Sequence, residues 1–175
     1  MRILFIGSPP FGVPSLEAAL SSGHEVVGLI TPPAKRGGRG FSKTVNNLVP
    51  LAEASGVPVL RPQIASHKES LAAIEKLRPD LGIVVSYGQI LTAEFLNLPR
   101  FGCINLHGSL LPRWRGASPA QASILAGDSS TGVCIQKMVL ALDAGPVLLS
   151  RRVGIGARET GPSLQASLAE EGGLL

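Results

Sequence analysis

Met1-Arg2-Ile3-Leu4-Phe5-Ile6-Gly7-Ser8-Pro9-Pro10 opens the chain with a continuous apolar run that carries one basic residue and stops at a Gly-Ser-Pro-Pro turn. A short run without polar alternation is the pattern of a buried parallel strand. The run is too short for a secretory signal peptide, and the turn that ends it marks a first strand instead. From Pro14 to Ser22, Leu16, Ala19 and Leu20 recur at helical spacing, and Gly23 is expected to end the helix. His24 to Ile30 is a second, Val-rich strand. Working outward, a helix from Thr44 to Ser55, kinked or restarted at Pro50, leads through Gly56 to a short strand, Val57 to Leu60. Ser66 to Leu77 puts Leu71, Ile74 and Leu77 on one helical face. Leu81 to Val85 is a fourth strand, Ala93 to Leu96 a short helix and Cys103 to Leu106 a fifth strand. The alternation predicts an α/β domain over residues 1–175, with an open, mostly parallel twisted sheet and helices on both faces, a Rossmann-like arrangement. Ligands of such sheets bind beyond the carboxyl ends of the strands. A helix from Gly116 to Ala126, an antiparallel strand pair at Thr131 to Met138 and Val147 to Val153, and a last helix near Ser163 complete the expectation.

The 175 residues suffice for one domain with a real core. A hydrophobic fraction of 45%, a charged fraction of 16%, 21 Gly and 14 Pro point to a compact fold with many short turns. No apolar run is long enough to span a bilayer. Cys103 and Cys134 both sit in apolar segments, too few for a disulfide scaffold and without metal-ligand spacing. They read as buried thiols of a reducing cytoplasm. The net charge of +4 is modest, but Lys35, Arg36, Arg39 and Lys43 share one Gly-rich stretch free of acidic residues. Charge alone favours a solvated loop there over a phosphate-backbone contact.

Three polar residues stand out. Asn105 and His107 are two apart at the end of a strand, so their side chains share a face. Asp143 follows an apolar strand in a Gly-containing loop, and a carboxylate can orient a histidine and favour its charged form. An amide and an imidazole suit a developing oxyanion, which makes the set appropriate to acyl transfer. Taken alone, His107 reads equally well as a structural strand-end histidine. Cys103 shares the face of Asn105 but lacks an evident base. Ser109-Leu110-Leu111-Pro112-Arg113-Trp114-Arg115-Gly116 carries the chain's single Trp between two arginines, either as a surface loop or as a site for an anionic or aromatic ligand.

Asn105-Leu106-His107-Gly108-Ser109-Leu110-Leu111-Pro112, with Leu142-Asp143-Ala144-Gly145, resembles the signature of the folate-dependent formyltransferases. Arg113-Trp114-Arg115-Gly116-Ala117, Gly7-Ser8-Pro9-Pro10-Phe11, Thr31-Pro32 and Gly38-Arg39-Gly40 resemble the branch whose acceptor is initiator methionyl-tRNA. The likeness covers essentially the whole chain, in the family's order and spacing. It implies a catalytic trio of Asn105, His107 and Asp143. It further implies a folate-binding segment at Ser109, Leu110, Leu111 and Pro112, and a pterin-holding loop around Val85, Tyr87, Gly88 and Leu91. Lys35, Arg36, Arg39 and Lys43 would approach the tRNA. A cis Leu111–Pro112 peptide is implied, as are 10-formyltetrahydrofolate as formyl donor, no metal, and a monomeric cytoplasmic enzyme of translation initiation.

The family's C-terminal, barrel-like tRNA-binding domain is absent from this chain. Pro33-Ala34-Lys35-Arg36 and Asn46-Asn47 depart from the family's usual acidic–basic pair and Ser-Pro pair. The alternatives are a formyltransferase of the same fold acting on an amino sugar nucleotide or on glycinamide ribonucleotide, and a non-catalytic folate- or RNA-binding fragment. The glycinamide enzymes carry a Gly-rich phosphate loop where this chain has Pro9-Pro10, which has no N–H to offer a phosphate.

Overall fold

The structure is a computed structural model that describes residues 1–33 and 46–175. The basic residues Lys35, Arg36, Arg39 and Lys43, and the expected helix start at Thr44, lie outside the described residues. Seven strands, β1 (Arg2–Gly7), β2 (Glu25–Ile30), β3 (Val59–Leu60), β4 (Leu81–Val85), β5 (Cys103–His107), β6 (Ser130–Lys137) and β7 (Val147–Gly154), form one sheet in the order β3-β2-β1-β4-β5-β6-β7. The first five are parallel, while β6 runs antiparallel to β5 and β7 antiparallel to β6. The mostly parallel sheet expected from the sequence is what forms.

Helices α1 (Val13–Ser21), α2 (Leu48–Ala54), α3 (Lys68–Lys76), α4 (Ala93–Leu96), α5 (Pro119–Leu125) and α6 (Gly161–Gly173) cover both faces. Phe5, Leu29, Val85, Leu106 and Val133 pack under α1, α2, α5 and α6 through Leu16, Leu48, Ala120, Leu164 and Leu168. Leu4, Ile6, Ile30, Val84 and Cys103 pack under α3 and α4 through Leu71, Ile74, Phe95 and Leu96. Alternate residues of one strand thus serve two cores, which explains the unbroken apolar runs.

Some boundaries differ from the sequence reading. The α1 helix is closed by Ser22, not Gly23: its N–H and hydroxyl both donate to the Ala19 carbonyl, at 3.3 and 2.7 Å. Two donors on one carbonyl satisfy an acceptor the helix end leaves unpaired. Pro50 sits in the first turn of α2, where its missing N–H costs no helical bond, so no kink is needed. β5 runs on through His107 because His107 pairs with Cys134 of β6. The fifth helix begins at Pro119, which leaves Gly116 and Ala117 free to border the cleft described below. Both cysteines are buried and unbridged. No helix among the described residues is long and apolar enough to cross a membrane.

Candidate active site

β1 and β4 are neighbours at the point where the strand order reverses, and a crevice opens there beyond the strand ends. The crevice has a volume of about 410 Å³. Its walls include Phe11 after β1, Val84 and the turn of residues 86–91 after β4, Asn105 and His107 of β5, Gly116, and Asp143 from the β6–β7 loop. Pro119, Ala120 and Gln121 of α5 and Gln165 and Leu168 of α6 close the far side.

The turn after β4 is shaped by two left-handed residues, Ser86 at φ 51° and Gly88 at φ 79°. The second is a conformation glycine adopts without penalty. Gln89 fastens the turn to the segment before α3: its Oε1 accepts from the Ala65 N–H and its Nε2 donates to the Gln63 carbonyl. Tyr87 is buried, and burial pushes its phenol up to about 12, so the hydroxyl keeps its proton. That hydroxyl has no hydrogen-bond partner among the described residues. Tyr87, Gly88 and Leu91 line the crevice, whereas Val85 is fully buried in the core.

The trio comes together. Asn105, in register between Val84 and Gln136, makes no side-chain hydrogen bond among the described residues and faces the crevice. His107 Nε2 lies 2.9 Å from the Trp114 carbonyl, so it carries a proton and donates. The other ring edge is turned to Asp143, with Nδ1 3.7 Å from Oδ2. That is ion-pair range but too long for a direct hydrogen bond. Asp143 has left-handed backbone at φ 46°. Its Oδ2 accepts from the Gly116 N–H at 2.8 Å and its Oδ1 from Gln136 Nε2 at 2.8 Å. The β6–β7 loop is drawn tight against β6, because a Cβ on Gly145 would fall 1.7 Å from the Lys137 carbonyl oxygen.

Ser109, Leu110, Leu111 and Pro112, the expected folate-binding segment, are not among the residues that line the crevice. Ser109 is buried, and its Oγ donates to the Arg113 carbonyl at 2.6 Å. Leu110 packs on Gly132, and the Leu111–Pro112 peptide is cis. The segment presents the Trp114 carbonyl to His107. Arg113 and Trp114 are engaged with each other and with Asp128: the indole N–H donates to Asp128 at 2.8 Å, Arg113 donates twice, and its guanidinium stacks 4.7 Å over the indole. The indole hydrogen bond, then the Arg113 charge and hydrogen bond, hold the Asp128 carboxyl below its usual range.

Cys103 shares the face of Asn105 but is buried against Gly82, and burial pushes its thiol up to about 12. A thiol that keeps its proton is no nucleophile. No group of three or more His, Cys, Asp or Glu among the described residues could hold a metal. Sequence reasoning missed Gln89, Gln121, Gln136 and Gln165. For Gln136 the signal was present, as the one amide inside the apolar strand Val133 to Ile135 and its continuation.

A formyl transferase family profile matches residues 1–174. The chain is 51% identical over 172 residues to a methionyl-tRNA formyltransferase of Xanthomonas euvesicatoria pv. vesicatoria, covering 98% of this chain and 56% of that protein. It is 43% identical over 175 residues to the enzyme of that name from Parvibaculum lavamentivorans, covering all of this chain and 56% of the relative. The chain therefore spans about half the length of the curated relatives it matches. Among solved structures, phosphoribosylglycinamide formyltransferase from Bacillus halodurans superposes with a TM-score of 0.83 at 22% identity, covering 100% of this chain and 91% of that one. A formyltetrahydrofolate deformylase from Pseudomonas syringae gives 0.79 at 18%, covering 99% and 58%.

Proposed function

The chain belongs to the formyl transferase family, and on that premise we propose that it carries the catalytic site for moving a formyl group from 10-formyltetrahydrofolate to the amino group of initiator methionyl-tRNA. The observation that carries this reading is the uncommitted Asn105 carboxamide beside the His107–Asp143 pair on one crevice wall. A volume of about 410 Å³, apolar at Val84, Leu91 and Leu142 and edged by backbone at the 86–91 turn, suits a flat heterocycle with polar edges.

The acceptor amine must arrive neutral. Its nitrogen attacks the formyl carbon, the carbonyl oxygen gains charge, and the bond from that carbon to the donor nitrogen then breaks. Asn105 donates a hydrogen bond to the oxygen as its charge grows. The acceptor nitrogen loses one proton and the departing nitrogen gains one. His107, on the Nδ1 edge it turns to Asp143, holds or relays that proton, and the carboxylate stabilises the imidazolium while it lasts. The Trp114 carbonyl fixes the opposite edge of the ring.

In this reading Tyr87, Gly88 and Leu91 hold the folate, while Ser109 to Pro112 brace His107 from behind. Lys35, Arg36, Arg39 and Lys43 meet phosphates of the acceptor end. The protein acts in the cytoplasm as a monomer, at the start of translation. The test is formyl transfer by wild type and Asn105→Ala, with methionyl-tRNA and an amino sugar nucleotide offered in turn. Transfer to methionyl-tRNA that falls on the order of 100-fold in the variant, with folate binding retained, supports it. Wild-type turnover in Asn105→Ala, or transfer to the sugar alone, overturns it.

A further inference from the structure

We propose that Gln136 is a positioning residue of this reaction: it holds the Asp143 carboxylate so that Oδ2 stays turned to His107. The inference rests on the formyl-transfer reading of the site. A carboxylate on a loop can rotate, and with both oxygens equivalent its orientation must come from its partners. Oδ2 has the Gly116 N–H at 2.8 Å and the His107 ring at 3.7 Å. Oδ1 has Gln136 Nε2 at 2.8 Å. Without that contact Oδ1 has no hydrogen-bond partner among the described residues, and the Gly116 N–H is left as the one hydrogen bond that resists rotation of the carboxylate.

Three further observations fit a dedicated role. Gln136 is 2% exposed, so a polar side chain has been placed where an apolar one would ordinarily pack. Its Oε1 is buried without a partner among the described residues, so there the amide is oriented by its donor contact. An unpaired buried carbonyl is costly, and a role in an active site is one of the reasons a native structure keeps such a group. The ladder to β7 also shifts register between Ile135 and Gln136. Irregularities of this kind re-aim a side chain beside active sites. Gln136 also stands opposite Asn105 in the β5–β6 ladder, so one register fixes the oxyanion donor and the carboxylate clamp together. The titratable groups facing Asp143 are His107 and the buried Cys134 thiol, which burial and the Asp143 charge both push up.

Three variants separate positioning from packing. Gln136→Met keeps the length and loses the donor. Gln136→His keeps an N–H of similar reach. Gln136→Glu sets a second carboxylate against the first. Expected is a kcat on the order of ten- to a hundred-fold lower for Gln136→Met, with folate KM and thermal midpoint little changed. Gln136→His should recover most of the loss, and Gln136→Glu should be at least as slow as Gln136→Met. Wild-type kcat in Gln136→Met, or kcat that only tracks the thermal midpoint across all three, overturns the proposal.

A readout independent of activity is the Gln136 side-chain amide signal in ¹⁵N-resolved NMR of wild type and Asp143→Asn. A shifted amide proton that moves when the charge is removed supports the clamp. An unmoved one overturns it, even if no variant and no wild type transfers formyl, which would sink the functional reading separately.

Discussion

Gly145 has no room for a side chain, since a Cβ would lie 1.7 Å from the Lys137 carbonyl oxygen. Real atoms cannot approach so closely, so Gly145→Ala must push the β6–β7 loop off β6. The loop carries Asp143, whose two oxygens are fixed by contacts at 2.8 Å that tolerate little displacement. The expected outcome is a loss of formyl transfer on the order of 100-fold, since misplacement by about 1 Å is costly in an oriented site. The sheet should stay folded, which circular dichroism would show alongside the rate; an unaltered rate would contradict the tight loop. At this scale the convergence of the three was legible because Asn105 and His107 alternate at the end of an apolar strand and Asp143 lies in the loop that follows another. The clamp by Gln136 was not. A side chain one position before the end of a strand gives no sign of its partner in the following loop or of a register shift. Nor did the sequence tell that Ser109 to Pro112 stand behind His107, because a loop's facing has no periodicity.

Among the elements, α6 depends most visibly on its cap. Thr160 Oγ1 accepts from the Ser163 N–H at 3.3 Å, and Ser163 Oγ accepts from the Thr160 N–H at 3.0 Å. The reciprocal pair satisfies two amides that the helix start leaves unpaired. α6 in turn places Leu164 and Leu168 in the core and Gln165 at the crevice. Thr160→Ala is expected to cost about 1 kcal/mol, typical for loss of such a cap, measured as a lower urea midpoint at unchanged m-value. Loss below a few tenths of that figure would mean the box forms without stabilising. Elements bounded by strong breakers were legible to the residue: Leu81–Val85 follows Pro79-Asp80, and Ala93–Leu96 starts at the cap Thr92. Boundaries set by distant partners were not. β5 extends to His107 only because β6 arrives to pair with it.

For the molecule as a whole, two buried acids set a limit on alkaline stability. Burial pushes the Cys103 thiol from 9.0 up to about 12 and the Tyr87 phenol from 10.0 up to about 12. The folded chain therefore holds these protons more tightly than the unfolded chain. The associated stability is complete below the ordinary thiol range and is lost as pH climbs through the window between 9.0 and about 12. One unit of displacement is worth about 1.4 kcal/mol, so Cys103 alone should remove about 2 kcal/mol between pH 9 and 10.5. Urea unfolding at pH 8 and pH 10.5 should show the decline. Cys103→Ala, though less stable at pH 8, should show a shallower one; equal slopes would exclude the thiol as the cause. The mostly parallel sheet followed from the alternation of strand and helix, whereas the strand order did not. The antiparallel end was legible from the short β6–β7 connection, which leaves no space for a crossover.

The change from parallel to antiparallel pairing at β5 divides the site by time as well as by space. During synthesis the first five strands leave the ribosome before Ser130 does, and crossovers along the way let them pair with one another. At that moment Asn105 and His107 are present on β5, but the strand is the outer edge of a growing sheet, and its free N–H and C=O groups are open to any extended chain nearby. The strand that covers this edge also delivers Gln136, and the connection after it delivers Asp143. Protection of the nascent sheet from wrong pairing and completion of the proposed reacting groups are thus one event, so a chain stalled before residue 143 displays His107 without the carboxylate it faces in the finished fold.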